Sequence, residues 1–234
     1  SVRTNSNKAT HAWIIQAQPG IEISGSGPVD GTDDARTSHR AEIQGTTALF
    51  LILSLLVKFF HITGGKILTY CDNQAVVTKL KKGWSIWRYR HTKGPDGDLQ
   101  ALLCQVTKQL QKDFQTQHSS EWVQGHQDKD NQKDLTRQAT LNIRMDHAAK
   151  KAYDLPQPWQ TDTYISILQA EVCAIYINNR KLTSHIHLSL AERWHEREAR
   201  EYLSQRHNID ADLFPIIYWD PLRFALKKLS THRR

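Results

Sequence analysis

The chain has 234 residues, 39% of them hydrophobic and seven of them Trp, with a net charge of +7 and a pI near 9.3. That is enough apolar material for one full domain plus an appendage and argues against a disordered chain, while the basic balance favours polyanionic partners. Cys71, Cys104 and Cys173 are widely spaced, odd in number and without a CxxC pair, so they support neither a disulfide framework nor a zinc knuckle and fit a reducing compartment.

The opening "SVRTNSNKAT" is polar and lacks the apolar core of a secretion signal, so an intracellular chain is expected, without separating nucleus from cytoplasm. "HAWIIQA" and "IEISGSG", joined by "QPG", predict a β-hairpin. A turn-rich loop, "PVDGTDDARTSHR", leads into an apolar helix that runs to about His61 and stops at "TGG". Its oily run from Ala48 is broken by Lys58 and by Gly64 and Gly65. It falls short of the ~20 apolar residues of a membrane span and reads as a core helix, with no membrane partner. "KILTYCD" predicts a buried strand ending in an acid, "NQAVVTKLKKG" a short helix, and "DGDLQALLCQVTKQLQKDF" a longer helix with Asp98 at its N-cap. "SSEWVQGH" predicts another strand, and residues 135 to 154 an amphipathic helix ended by "LPQPW".

This order predicts an α/β fold, a mixed sheet flanked by helices, over residues 1–154. Residues 155–234 read as a mainly helical extension whose "SLAERWHEREAREYLSQR" pairs Glu196 with Arg200 and Arg197 with Glu201 at i,i+4. Chemistry in such folds gathers at the carboxyl ends of strands, where Asp72 falls. Two readings stand for Asp72, a cap for the helix after it or a functional acid; two also stand for Glu42, a first-turn cap or a ligand.

Four features in order carry a resemblance. Glu42 stands in "RAE" at the head of the first helix, Asp72 in "DNQ" after a strand, His126 in "WVQGH" after a later strand, and Asp146 in "MDHAAKKA" on the last helix of the domain. The chain over about residues 11 to 153 resembles the type 1 ribonuclease H family, as found in reverse transcriptase and retrotransposon polyproteins. The resemblance implies a ribonuclease H-like fold and a magnesium-dependent endoribonuclease that cuts the RNA of an RNA–DNA hybrid. Glu42, Asp72 and Asp146 would be ligands to two Mg2+ (or Mn2+) ions, with His126 assisting proton transfer or product release. The family's fourth carboxylate lies on its first strand, which is not found here. The domain is therefore expected to be N-terminally truncated and its activity in question, with Asp30, Asp33 and Asp34 only weak substitutes.

Between Lys79 and Lys93, "KLKKGWSIWRYRHTK" carries six basic residues and no acid. Lys81, Lys82, Trp84, Trp87, Arg88 and Arg90 are candidates to track phosphates and stack on sugars or bases, against the alternative of an exposed turn. By the resemblance, Ser38 and His39 would contact the backbone near the 2′-hydroxyl, and Asn73 and Gln74 would follow the catalytic acid. Three alternatives stand beside a hybrid nuclease: a catalytically dead binding relic of the same fold, an integrase or transposase nuclease, and a structural protein without nucleic acid.

Overall fold

The computed structural model describes residues 9–18, 20–31, 36–82, 95–127, 135–154, 174–177, 180–183 and 185–207. The protein is mixed α/β and divides into two compact units, Ser1–His185 and Ile186–Arg234. The expected module boundary at residues 154 and 155 falls at the edge of the undescribed stretch 155–173.

In the first unit, β1 (Thr10–Gln18) and β2 (Ile21–Pro28) form the expected antiparallel hairpin, in register from Thr10 opposite Pro28 to Gln16 opposite Glu22, with an irregularity between Gln16 and Gln18. Helix α1 (Ser38–Phe59) follows, then β3 (Lys66–Cys71), α2 (Gln74–Lys81), α3 (Gly97–Phe114), β4 (Gln117–Trp122) and α4 (Arg137–Asp154). β3 and β4 run parallel, from Lys66 opposite Gln117 to Cys71 opposite Trp122. Two further strands, β5 (Tyr176–Ile177) and β6 (Arg180–Lys181), make a minimal antiparallel pair.

The expected single mixed sheet is not formed among the described residues: β1 bonds only to β2 and β3 only to β4, giving separate two-stranded sheets. The hairpin is held from both faces, because successive residues of a strand point oppositely. The Thr10 hydroxyl donates to the Ala149 carbonyl of α4 at 2.8 Å. On the other face Gly45 of α1 lies so close that a Cβ there would meet the Ala12 carbonyl oxygen at 3.0 Å and His11 Cβ at 3.5 Å. Burial of His11 lowers its pKa to about 4. Along the outer edge, Arg144 of α4 pairs with Glu22 and Arg137 with Gln16.

The main core joins Ile43, Phe50 and Val57 of α1 to Leu103, Val106 and Leu110 of α3 and to Val76, Val77 and Leu80 of α2. By length and composition α1 is apolar enough to cross a membrane, which corrects the expectation that it is too short. Its assignment as a core helix rests instead on Ile43 and Phe50, each 1% exposed, at the spacing of one helical face. The opposite face, Leu51, Leu55 and Phe59, is exposed.

Asp98 is not the N-cap of α3. Asp96 occupies that position in a left-handed conformation (φ 56°) without a side-chain cap bond. Asp98 lies in the first turn, buried, and accepts two hydrogen bonds from Arg40 at 2.9 and 2.8 Å; Arg40 also reaches Asp96 at 3.0 Å and the Asp30 carbonyl at 2.5 Å. Arg40 is 0% exposed, so this network neutralises a charge that could not stand alone. Lys181 of β6 approaches Asp98 at 3.9 Å and the Asp96 amide donates to the Thr183 carbonyl, which ties this segment to α3.

The described part of the second unit, α5 (Ile186–His207), is a helix laced by its own charges. Arg200 to Glu196 is 2.6 Å and Arg197 to Glu201 is 3.7 Å, the i,i+4 pairs read from the sequence.

Candidate metal centre

Glu42 is not a cap. Thr37 caps α1, accepting from the Arg40 amide at 3.1 Å, and the first turn holds no acid. Asp72 is not a cap either: the side chain of Asn73 accepts from the Ala75 and Val76 amides at 3.1 and 3.2 Å and starts α2. Both carboxylates are left to face one another. β3 ends at Cys71, whose Sγ donates to Glu42 Oε2 at 3.7 Å, and one donor atom from each of Glu42, Cys71 and Asp72 lies within 4.8 Å of the other two.

Strand β4 and the loop after it complete the surroundings of Asp72. Trp122 Nε1 donates to the Asp72 carbonyl at 2.9 Å, and Gly125 packs so closely that a Cβ there would meet Asp72 Oδ2 at 2.8 Å. A side chain there would force the acid to shift. The next residue, His126, has φ 55° and sets its Nδ1 at 3.3 Å from Asp146 Oδ2 on α4.

The electrostatics are those of crowded acids. Burial first, then the charges of Asp72 and Asp146, push Glu42 up to about 7. Burial and Asp146 raise Asp72 in the same sense, and burial with the Glu42 charge pushes the Cys71 thiol well above its usual value. Of the described bases His126 works against this rise at Asp72, but Asp72 remains raised, so the cluster is not offset as Arg40 offsets Asp98. A divalent ion fits it on two counts: the donor set is mostly carboxylate oxygen, and Asn142, 5% exposed, leaves its Nδ2 without a hydrogen-bond partner while its amide faces Asp72.

Of the expected nucleic-acid contacts, His39 Nδ1 and Asn73 Nδ2 are 3.2 Å apart, so the N-termini of α1 and α2 bring Ser38, His39, Asn73 and Gln74 to one surface beside the acids. Lys81 ends α2 and Lys82 is its C-cap, both exposed. Trp84, Trp87, Arg88 and Arg90 lie outside the described residues, as do Asp33 and Asp34. Asp30 does not join the cluster; its carboxylate takes a bond from Gln44 at 3.3 Å and its carbonyl serves Arg40. Cysteine spacing offered no hint of Cys71, and Asn142 looked like one polar residue of an amphipathic helix. The one available signal for Cys71 was its position beside Asp72 at a strand end.

A groove separates the two small sheets. Ala12 and Trp13 of β1 line one wall, Thr69, Tyr70 and Cys71 of β3 the other, and Glu42 and Asn142 stand within it. Among the described residues no strand lies between β1 and β3. No protein-family model matches this chain, and no curated protein matches it.

Proposed function

We propose that residues 1–154 form a ribonuclease H-like nuclease domain of retroelement type, acting on the RNA strand of an RNA–DNA hybrid with two Mg2+ or Mn2+ ions. The observation that carries this reading is that Glu42 of α1 and Asp72 after β3 set carboxylate oxygens within 4.8 Å of one another, with Asp146 of α4 near enough for its charge to raise both. Glu42, Asp72 and Asp146 would hold the ions, which when bound supply an activated water and charge stabilisation at the phosphate. The residues themselves do the rest. Gly125 lets the loop close on Asp72, and His126, exposed and held by Asp146, can carry a proton between the site and solvent. Ser38, His39, Asn73 and Gln74 form the adjoining contact surface, and the basic residues from Lys79 onward supply phosphate attraction.

A second reading, a nucleic-acid-binding domain that does not cleave, is favoured by two observations. The groove between β1 and β3 holds no strand, and no fourth carboxylate joins the cluster among the described residues. The test is Mg2+- or Mn2+-dependent cleavage of an end-labelled RNA–DNA hybrid by the native chain, by Asp72→Asn, and by a chain with an apolar strand ending in Asp-Gly fused ahead of Ser1. Cleavage by the native or the fused chain that Asp72→Asn abolishes supports the nuclease. Hybrid binding without cleavage in every form supports the binding relic, and DNA strand transfer with hybrids left uncut would refute both.

A further inference from the structure

We propose that Cys71 is a metal ligand, so that this centre also takes a thiophilic divalent cation of the Zn2+ or Cd2+ class through the Cys71 thiolate and the Glu42 and Asp72 carboxylates. The inference shares its site with the nuclease reading but needs neither nucleic acid nor cleavage.

Three features carry it. First, the donors are close to ligand spacing. Bonds of ~2.0–2.3 Å on a tetrahedral ion set donors about 3.5 Å apart. The three here lie within 4.8 Å of one another. Second, the sulfur is held as a ligand would be. The Asn73 amide donates to Cys71 Sγ at 3.3 Å, and the thiol, although it belongs to the main apolar core, directs its proton at the Glu42 carboxylate.

Third, Asn142 is 5% exposed, stands in the same groove as Glu42 and Cys71, and leaves its Nδ2 unpaired. Its amide can donate to a metal-bound water or turn its oxygen to the ion, either of which ends the deficit. The groove between β1 and β3 is the entry path to the sulfur. Soft thiolate selects Zn2+ and Cd2+ over Mg2+, whereas a site of carboxylates alone prefers the hard ions. On binding, the thiol proton leaves to solvent as the sulfur–metal bond forms.

The experiment is Cd2+ titration of the full chain, reading the ultraviolet sulfur-to-cadmium charge-transfer band, with Mn2+ binding followed in parallel by thermal stabilisation. The band is expected in the native chain and in the Cys104→Ser/Cys173→Ser variant, where Cys71 is the sole cysteine, and is lost in Cys71→Ser. Asn142→Leu is expected to weaken Cd2+ binding by roughly 10- to 100-fold. If Cys71→Ser fails to fold, the double variant still decides, because a missing band there overturns the proposal. Mn2+ stabilisation without a Cd2+ band would overturn the role of Cys71 and leave the carboxylate centre standing. Stabilisation by neither ion would overturn both.

Discussion

Replacing Glu42 with Gln tests whether the cluster is a set of acids waiting for a cation. The Glu42 carboxyl titrates near 7 in the folded chain against an ordinary 4.5, a difference of 7 − 4.5 = 2.5. Each such unit is worth 1.36 kcal/mol, so ionising this group in the metal-free fold costs about 3 kcal/mol. The sign follows from proton binding. Between 4.5 and 7 the folded state holds the proton that the unfolded chain has lost. The corresponding stability is therefore fully present below about 4.5, falls as pH rises, and is gone above about 7. A neutral Gln has no such slope. Urea unfolding followed by Trp fluorescence in EDTA, across pH 4.5 to 8, is expected to show the native chain losing about 3 kcal/mol relative to Glu42→Gln. Titrating groups that do not interact with Glu42 are common to both chains and cancel in the comparison. Adding Mn2+ at about 100 times its Kd is expected to return about 2.7 kcal/mol to the native chain at pH 8, and far less to the variant. Parallel pH profiles for the two chains would refute the reasoning, because Glu42 would then be as well solvated when folded as when unfolded.

Other expectations follow from single contacts. Gly125→Ala puts a Cβ 2.8 Å from Asp72 Oδ2, so the acid must shift; hybrid cleavage by an active form is expected to fall by roughly 100-fold with circular dichroism unchanged. Arg40→Met leaves Asp98 and Asp96 buried without their cation and is expected to cost about 3–5 kcal/mol in urea unfolding, whereas a loss under about 1 kcal/mol would mean that the network is wetter than drawn. Lys81→Glu with Lys82→Glu should weaken hybrid binding and flatten the salt dependence of the association constant by about one unit of slope or more; an unchanged slope would remove α2 from the nucleic-acid surface.

Local pattern was enough to read the elements from β1 to α4, but not the strands β5 and β6, which fall in the stretch expected to be mainly helical. Alternation in "HAWIIQA" and "IEISGSG" about a Pro-Gly turn yields the hairpin, and the spacing of Ile43, Phe50 and Val57 marks the buried face of α1. The charges of α5 likewise pair at the spacing their order implies. Each depends on neighbours within one or two turns or one hairpin. Pattern failed where partners are remote in sequence. Asp98 has the residue type of a cap but is captured by Arg40, 58 residues away, and Asn73 rather than Asp72 starts α2. Strand order implied one sheet, yet pairing is decided by which edges meet, and β1 and β3 do not.

The sequence by itself determined the elements, the basic balance and the four acid and histidine positions, because these follow from residue type and short-range periodicity. Only the tertiary structure decided that Glu42, Cys71 and Asn142 share one groove with Asp72 beside Glu42, that Gly125 lies against Asp72, and that Arg40 is withdrawn from the site into a buried network. The physical reason is that burial and distance set the electrostatics of a carboxylate, and both are created when separate elements pack.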